Sequence, residues 1–266
     1  MAVTADLSML KPVAPAEPRS DEREATHPFR SGFFVMLAGY LLLTGILVGA
    51  GLLLTHVLDG SVGRWDEHVN DYLARHRTTP WNDVTAVATA GLNTLPVVLG
   101  AAVVVGFLAF RRRFSEAAFL TLALLLEITV FLSVNFVVAR PRPAVHRLNS
   151  TPSTSSFPSG HTAAATVLFV GIAFIVACCT PNRLARIGSA IVAAVISLTV
   201  GFARVYRGLH HPTDVFAGLL YGLACLAIAA LAVRTANRRR RSEEALDRRH
   251  RGFDESLNRR SAFPPS

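Results

Sequence analysis

Lysine is almost missing from this chain: Lys11 is the only one among 27 basic residues. Charge as a whole is scarce, at 17% of the 266 residues, where a soluble domain carries roughly a quarter. That shortage argues against an ordinary soluble fold. Cysteine is scarce too. Cys178, Cys179 and Cys225 all fall inside apolar segments and none pairs with another in a loop, so neither a disulfide framework nor a zinc cluster is indicated. They read as small buried hydrophobes. No cleavable signal peptide is visible, because the first apolar run starts only at Phe33 and is too long for a signal core. It reads as an uncleaved span.

What the chain has instead is apolar sequence in long runs: 51% of its residues are hydrophobic and the mean hydropathy is +0.39. Six segments are long enough to cross a bilayer, which takes about twenty apolar residues. They are Phe33 to Leu58, Val84 to Phe110, Phe114 to Val138, Thr162 to Thr180, Ile187 to Phe202 and Val215 to Val233. The fifth is the shortest, and Asn93 and Pro96 interrupt the second. Exposed backbone finds no water inside a membrane, so the spans must be helical. The expected fold is an all-α integral membrane protein, a six-transmembrane helical bundle with short loops. Residues 1–30, rich in Pro, Ala and charge, are expected to be a disordered cytoplasmic tail. Residues 31–234 form the membrane domain, and 235–266 a basic cytoplasmic tail suited to anionic lipid headgroups, with no nucleic-acid role expected.

The net charge of +9 is carried by arginines that cluster at the ends of apolar runs. Arg111 to Arg113, Arg183 with Arg186, and Arg238 to Arg241 share one side by parity. The positive-inside rule makes that side, and both termini, cytoplasmic. The arginine bias also suggests a GC-rich coding sequence and a bacterial source, hence a cell-membrane location. Loops 59–83, 139–161 and 203–214 then face outward. The last two carry arginines that break the rule.

Those two loops read Arg140-Pro141-Arg142-Pro143, then Pro158-Ser159-Gly160-His161, and, after the fifth span, Arg204 followed by His210, His211, Pro212, Thr213 and Asp214. A given four-residue string such as Pro-Ser-Gly-His arises by chance in about one chain in a thousand of this length. Joined on one membrane side to Arg, five residues, His, three residues and Asp, it is a strong signal. These residues resemble the type 2 phosphatidic acid phosphatase family, the membrane branch of a superfamily that includes vanadium haloperoxidases. The family's blocks are Lys-x6-Arg-Pro, Pro-Ser-Gly-His and Ser-Arg-x5-His-x3-Asp. Two positions depart from them: Asn135 stands at the lysine and Ala203 at the serine.

The chemistry follows from the residue types as well. A phosphate ester needs a nucleophile, a proton for the departing oxygen, and cations around the equatorial oxygens. His210 can attack if Asp214, one helical turn on, holds its far ring nitrogen. His211 competes with it, and only the spacing favours His210. His161 is placed as general acid, with Ser159 as helix N-cap and Gly160 allowing phosphate to approach. Arg142 and Arg204 supply planar forks for phosphate oxygens. Arg140 is expected to replace part of the charge missing at Asn135, a role Arg207 could share. The resemblance implies the same roles for His210 and Asp214. No acidic cluster for a divalent cation occurs in these loops, so chemistry without metal or cofactor is expected.

Each residue has a plainer reading: Ser159 a helix cap, Arg204 and Arg207 arginines reaching to headgroups. Glu127, in mid-span, is expected to pair within the bundle. The expected substrate is an isoprenoid pyrophosphate, such as undecaprenyl pyrophosphate, or a glycerolipid phosphate. Two rival readings keep the scaffold or the site: a non-catalytic lipid-binding or lipid-moving protein, motivated by Asn135, and a vanadate-dependent peroxidase, which the six spans disfavour. A homo-oligomer is left open.

Overall fold

The computed structural model describes residues 28–91, 93–150 and 154–261 and is helical, with no strand among them. The expected N-terminal tail lies largely outside the described residues; its last three, Pro28 to Arg30, open the first helix. In chain order the helices are α1 (Pro28–Leu52), α2 (Arg64–Arg75), α3 (Thr79–Gly91), α4 (Thr94–Phe110), α5 (Phe114–Val138), α6 (Gly160–Cys179), α7 (Arg183–Tyr206) and α8 (Pro212–Ser261). Two π-helical turns, Leu53–Val57 and Asp59–Gly63, join α1 to α2.

Five of these helices are long and apolar enough to cross a membrane, and α3 with α4 makes a sixth span bent by 49°. The bend falls where the sequence placed the interruption. Asn93 is extended at the break, and Pro96 sits in the first turn of α4, where its missing N–H would have had no partner anyway. The fifth span exceeds its expected bounds at both ends, since α7 runs through Arg183 and Tyr206. The sixth continues unbroken through the basic segment to Ser261, giving α8 50 residues.

Large apolar side chains such as Phe110, Phe136 and Leu184 are at least 81% exposed. Such a surface suits lipid and not water. Against lipid, helices associate through close packing more than through leaving water, so small residues collect where they cross. Three positions spaced by four, Asp214, Gly218 and Gly222, share one face of α8. A Cβ on Gly218 would lie 2.6 Å from the Ser159 carbonyl oxygen, and one on Gly222 3.0 Å from that of Ala163. These glycines let the start of α6 rest on α8. The junction is closed by the Ser159 N–H donating to the Asp214 carbonyl at 3.0 Å. Deeper in the bundle, the Tyr221 hydroxyl donates to Glu127 at 2.6 Å, the internal pairing expected of that carboxylate.

Candidate active site

The expected site residues gather at one end of the bundle, between the loops after α5 and α7 and the first turns of α6 and α8. Two bends direct the chain there. Ala139 ends α5 in the left-handed region, at φ 46°, and turns Arg140 inward. Gly208, at φ 73°, reverses the chain after α7 in a conformation that L side chains rarely adopt. The 139–143 and 154–159 segments are then tied together: Ser156 N–H donates to the Arg140 carbonyl, Arg140 N–H to Ser155 Oγ, and Ser156 Oγ to the Pro141 carbonyl.

His210 is buried, and its Nδ1 lies 2.7 Å from the Ser156 carbonyl. A carbonyl only accepts, so Nδ1 carries the proton and Nε2 keeps its lone pair. The expectation that Asp214 would hold this nitrogen by a hydrogen bond needs correcting: its Oδ2 is 3.8 Å away. The backbone of the Pro-Ser-Gly-His loop has taken that acceptor position, and Asp214 acts on His210 through charge. Burial lowers the proton affinity of His210, Asp214 raises it, and Arg142 and Arg204 lower it again, for a net downward shift.

His211 is bound quite differently. Its Nδ1 is 3.2 Å from Asp214 Oδ2 and its Nε2 3.2 Å from Glu67 Oε1, so a carboxylate stands at each nitrogen. Burial disfavours its charge, but the bonds to Asp214 and Glu67 outweigh that and raise its pKa. A doubly bonded imidazolium has no lone pair to offer. Geometry therefore separates the two adjacent histidines, which spacing alone had ranked.

Arg140 does not join Arg142 and Arg204 in facing His210. Its Nη1 donates to Asp214 Oδ1 at 2.5 Å and its Nη2 to Asp66 Oδ2 at 2.7 Å. Both contacts are fully buried. Arg207 is likewise occupied, donating to the Asn82 and Leu148 carbonyls, Thr85 Oγ1 and Asn149. Neither replaces the charge missing at Asn135, whose amide instead donates to the Ser155 carbonyl at 3.1 Å and steadies the same loop.

Ser159 and Gly160 also act differently from expectation. Ser159 is the residue before α6, yet its hydroxyl pairs with Thr162 Oγ1 at 2.9 Å and not with a backbone N–H. At Gly160 a Cβ would lie 2.8 Å from the Phe131 ring, so the glycine admits an aromatic ring from α5.

Arg142 and Arg204 are left facing His210 and His161, all within electrostatic reach of one another. Arg142 donates to the Leu209 carbonyl at 2.6 Å and Thr154 Oγ1 at 3.2 Å, but its buried Nε has no partner. Arg204 has one long contact, 3.5 Å to Asn93 Oδ1, and a buried Nε also without a partner. Buried N–H groups of a cation left unpaired are costly. Burial, reinforced by Arg147, lowers the pKa of Arg142. Among the described residues no carboxylate is bonded to either arginine, and a bound anion would relieve both.

Between α4, α5 and α6 an apolar cavity of about 430 Å³ reaches this spot, lined by Val97, Ala101, Leu124, Phe131 and Gly160, with His161 among its walls. Four contributors were not singled out from sequence: Asp66, Glu67, Ser156 and Thr213. Asp66 and Glu67 sit in α2, within the 59–83 stretch that the sequence reads as a loop and that carries no motif. Ser156 acts through its backbone, which leaves no residue-type signal.

An apolar helical bundle carrying this cluster at one end defines an all-helical membrane protein. A sequence model of the PAP2 superfamily matches residues 116–238. The fold is similar to the transmembrane PAP2 type phosphatidylglycerolphosphate phosphatase from Bacillus subtilis, at 22% identity and a TM-score of 0.60, over 78% of this chain and 96% of that one. A second similar structure is LpxE of Aquifex aeolicus, at 23% identity and a TM-score of 0.49, over 61% of this chain and 92% of that one. No curated protein matches the chain in sequence.

Proposed function

We propose that this protein is a membrane lipid phosphatase that works through a phosphohistidine. The observation that carries the reading is the pair of buried, partnerless Nε groups of Arg142 and Arg204 beside a histidine whose Nε2 lone pair is free. A phosphate on these arginines would present its phosphorus to His210. Nε2 forms the bond to phosphorus as the bond to the leaving oxygen breaks, and His161 protonates that oxygen. Water, deprotonated by His161, then attacks the phosphohistidine, releasing phosphate and restoring His210. Asp214 stabilises the cationic imidazole while phosphate is attached.

A lipid substrate is supported by the apolar cavity that ends at His161, which offers room for a hydrocarbon chain while the headgroup meets the arginines. The substrate class is an isoprenoid pyrophosphate or a glycerolipid phosphate. The arginines at the opposite end of the bundle put that end in the cytoplasm by the positive-inside rule, which makes the site extracytoplasmic.

The test is phosphate release by purified protein from a panel of lipid phosphates and pyrophosphates, with and without chelator. Release that survives excess EDTA is expected. No release from any lipid, together with unimpaired lipid binding, would leave the non-catalytic reading in its place. Activity lost with EDTA and regained with magnesium would overturn the metal-independent mechanism.

A further inference from the structure

Next to His210 lies a row of buried charges that no motif announces. Asp66, in the first turn of α2, is wholly buried although its neighbours Arg64 and Trp65 are exposed. Its Oδ1 accepts from the Thr213 N–H at 3.1 Å, and its Oδ2 accepts from Thr213 Oγ1 and from Arg140 Nη2. Arg140 continues the row to Asp214, and Asp214 reaches both histidines. Glu67, the next residue of α2, closes on His211.

The charges can be summed by sign. Arg140 cancels one of the carboxylates Asp66 and Asp214. The His211 imidazolium cancels Glu67. One negative charge remains, and one positive charge develops on His210 when it takes up a phosphoryl group or a proton. Without Asp66, Arg140 would neutralise Asp214 and the row would sum to zero.

We infer that Asp66 is a positioning residue for His210: through Arg140 it keeps the Asp214 carboxylate available to the nucleophile's developing cation, and so ties catalysis to the seating of α2 on the catalytic loop. The inference rests on the phosphatase reading only for its consequence in turnover; the charge relay itself concerns His210 alone. The groups that act directly on His210 are Asp214 of α8, Arg204 of α7, His161 of α6 and Arg142 of the loop after α5; Arg140 and His211 touch Asp214, and Asp66 and Glu67 of α2 stand behind them in turn.

The relay predicts opposite effects from its two halves. Asp66→Asn keeps the shape and removes the spare negative charge. His210 then holds a proton less well, and the acidic limb of kcat/KM moves to lower pH by about half a pH unit or more. Arg140→Gln adds net negative charge and moves the limb to higher pH. The double variant removes one charge of each sign, restores the wild-type sum and brings the limb back. In Asp66→Asn, kcat is expected to fall on the order of ten-fold, with KM changed little. A merely structural Asp66 would instead make the double variant worse than either single one.

The same titration is read without turnover from the pH dependence of diethyl pyrocarbonate modification at His210, followed by mass spectrometry of its peptide, since only the neutral imidazole reacts. Midpoints that shift down in Asp66→Asn, up in Arg140→Gln and back in the double variant are the expected result. Shifts of the same sign in both single variants, or none, would overturn the relay. Either variant gives the sign by itself should the other fail to fold. If the wild-type protein releases phosphate from no lipid, the phosphatase reading falls while the modification midpoints still decide the relay.

Discussion

Arginine occupies both ends of this bundle and behaves oppositely at each. At one end Arg111, Arg112, Arg113, Arg183 and Arg186 are all exposed, and a cavity of about 610 Å³ beside them is otherwise apolar, with Arg111 and Arg113 at its rim. At the other end Arg140, Arg204 and Arg207 are no more than 6% exposed. An exposed arginine at a span end needs only water and headgroups, so it reports topology. A buried guanidinium must find partners for its donors. Arg140 and Arg207 have them in the protein, and Arg204, like half-buried Arg142, lacks one. The difference between the ends sorts the arginines into exposed, internally paired and incompletely paired groups, which residue type alone cannot do.

That sorting can be broken most directly at the site end. His210→Ala should lower turnover by more than about a thousand-fold, since it removes the proposed nucleophile, and Arg204→Ala by roughly a hundred-fold. Arg183→Ala and Arg111→Ala should leave kcat/KM within about two-fold and stability within roughly 0.5 kcal/mol. Phosphate-release kinetics on the four purified variants check this. Equal losses at the two ends would erase the distinction.

A smaller effect separates the site end from the apolar interior that supports it. Gly218→Val would press a side chain into the Ser159 backbone, which cannot yield as a flexible side chain could. A loss of about 2–3 kcal/mol or more is expected, seen as a lower melting temperature and a poor yield of folded protein. Gly188→Val, on α7, meets nothing within 4 Å and should melt like the wild type.

The two adjacent histidines give a pH-dependent contrast. The pKa of His211 is raised on folding, so its charge contributes stability fully below the unfolded value near 6.5, and that contribution is lost as pH rises through the folded value. His211→Gln should therefore lower the melting temperature most at pH 5–6, and the gap to wild type should close toward alkaline pH. A gap that widens with pH would mean the doubly bonded imidazolium is wrong. The smallest effect compares the left-handed residues at the two ends, Arg112 (φ 55°) and Ala139 (φ 46°). Glycine at either should stabilise by about 1 kcal/mol or less, read as a small rise in melting temperature, with activity unchanged for Arg112→Gly.

Much of the fold was legible because membrane helices announce themselves by local composition. The runs from Phe114 and Val215 were found without any knowledge of their neighbours, and the break near Asn93 and Pro96 was visible as a break. The short fifth run was underestimated because hydropathy stops at charged residues, whereas the α7 hydrogen-bond ladder continues through Arg183 and Arg204. At the site, the motif spacing brought His161, His210, Asp214, Arg142 and Arg204 to one end, as they lie. It could not see that Arg140 faces away from Arg142 two residues on, because side-chain direction in an irregular loop is set by partners far along the chain.

Asp66 is the clearest case of that limit. Nothing within α2 distinguishes it from Asp71, which is exposed and pairs with Arg75. By itself the sequence determined where the apolar helices lie along the chain and the residue types that gather at one end, since these depend on local hydropathy and short spacing. Only the tertiary structure decided which histidine keeps a free nitrogen, which arginines lack partners and which carboxylate of α2 is buried against Arg140. Each of those is fixed by contacts across 50 residues or more of sequence, where no local rule reaches.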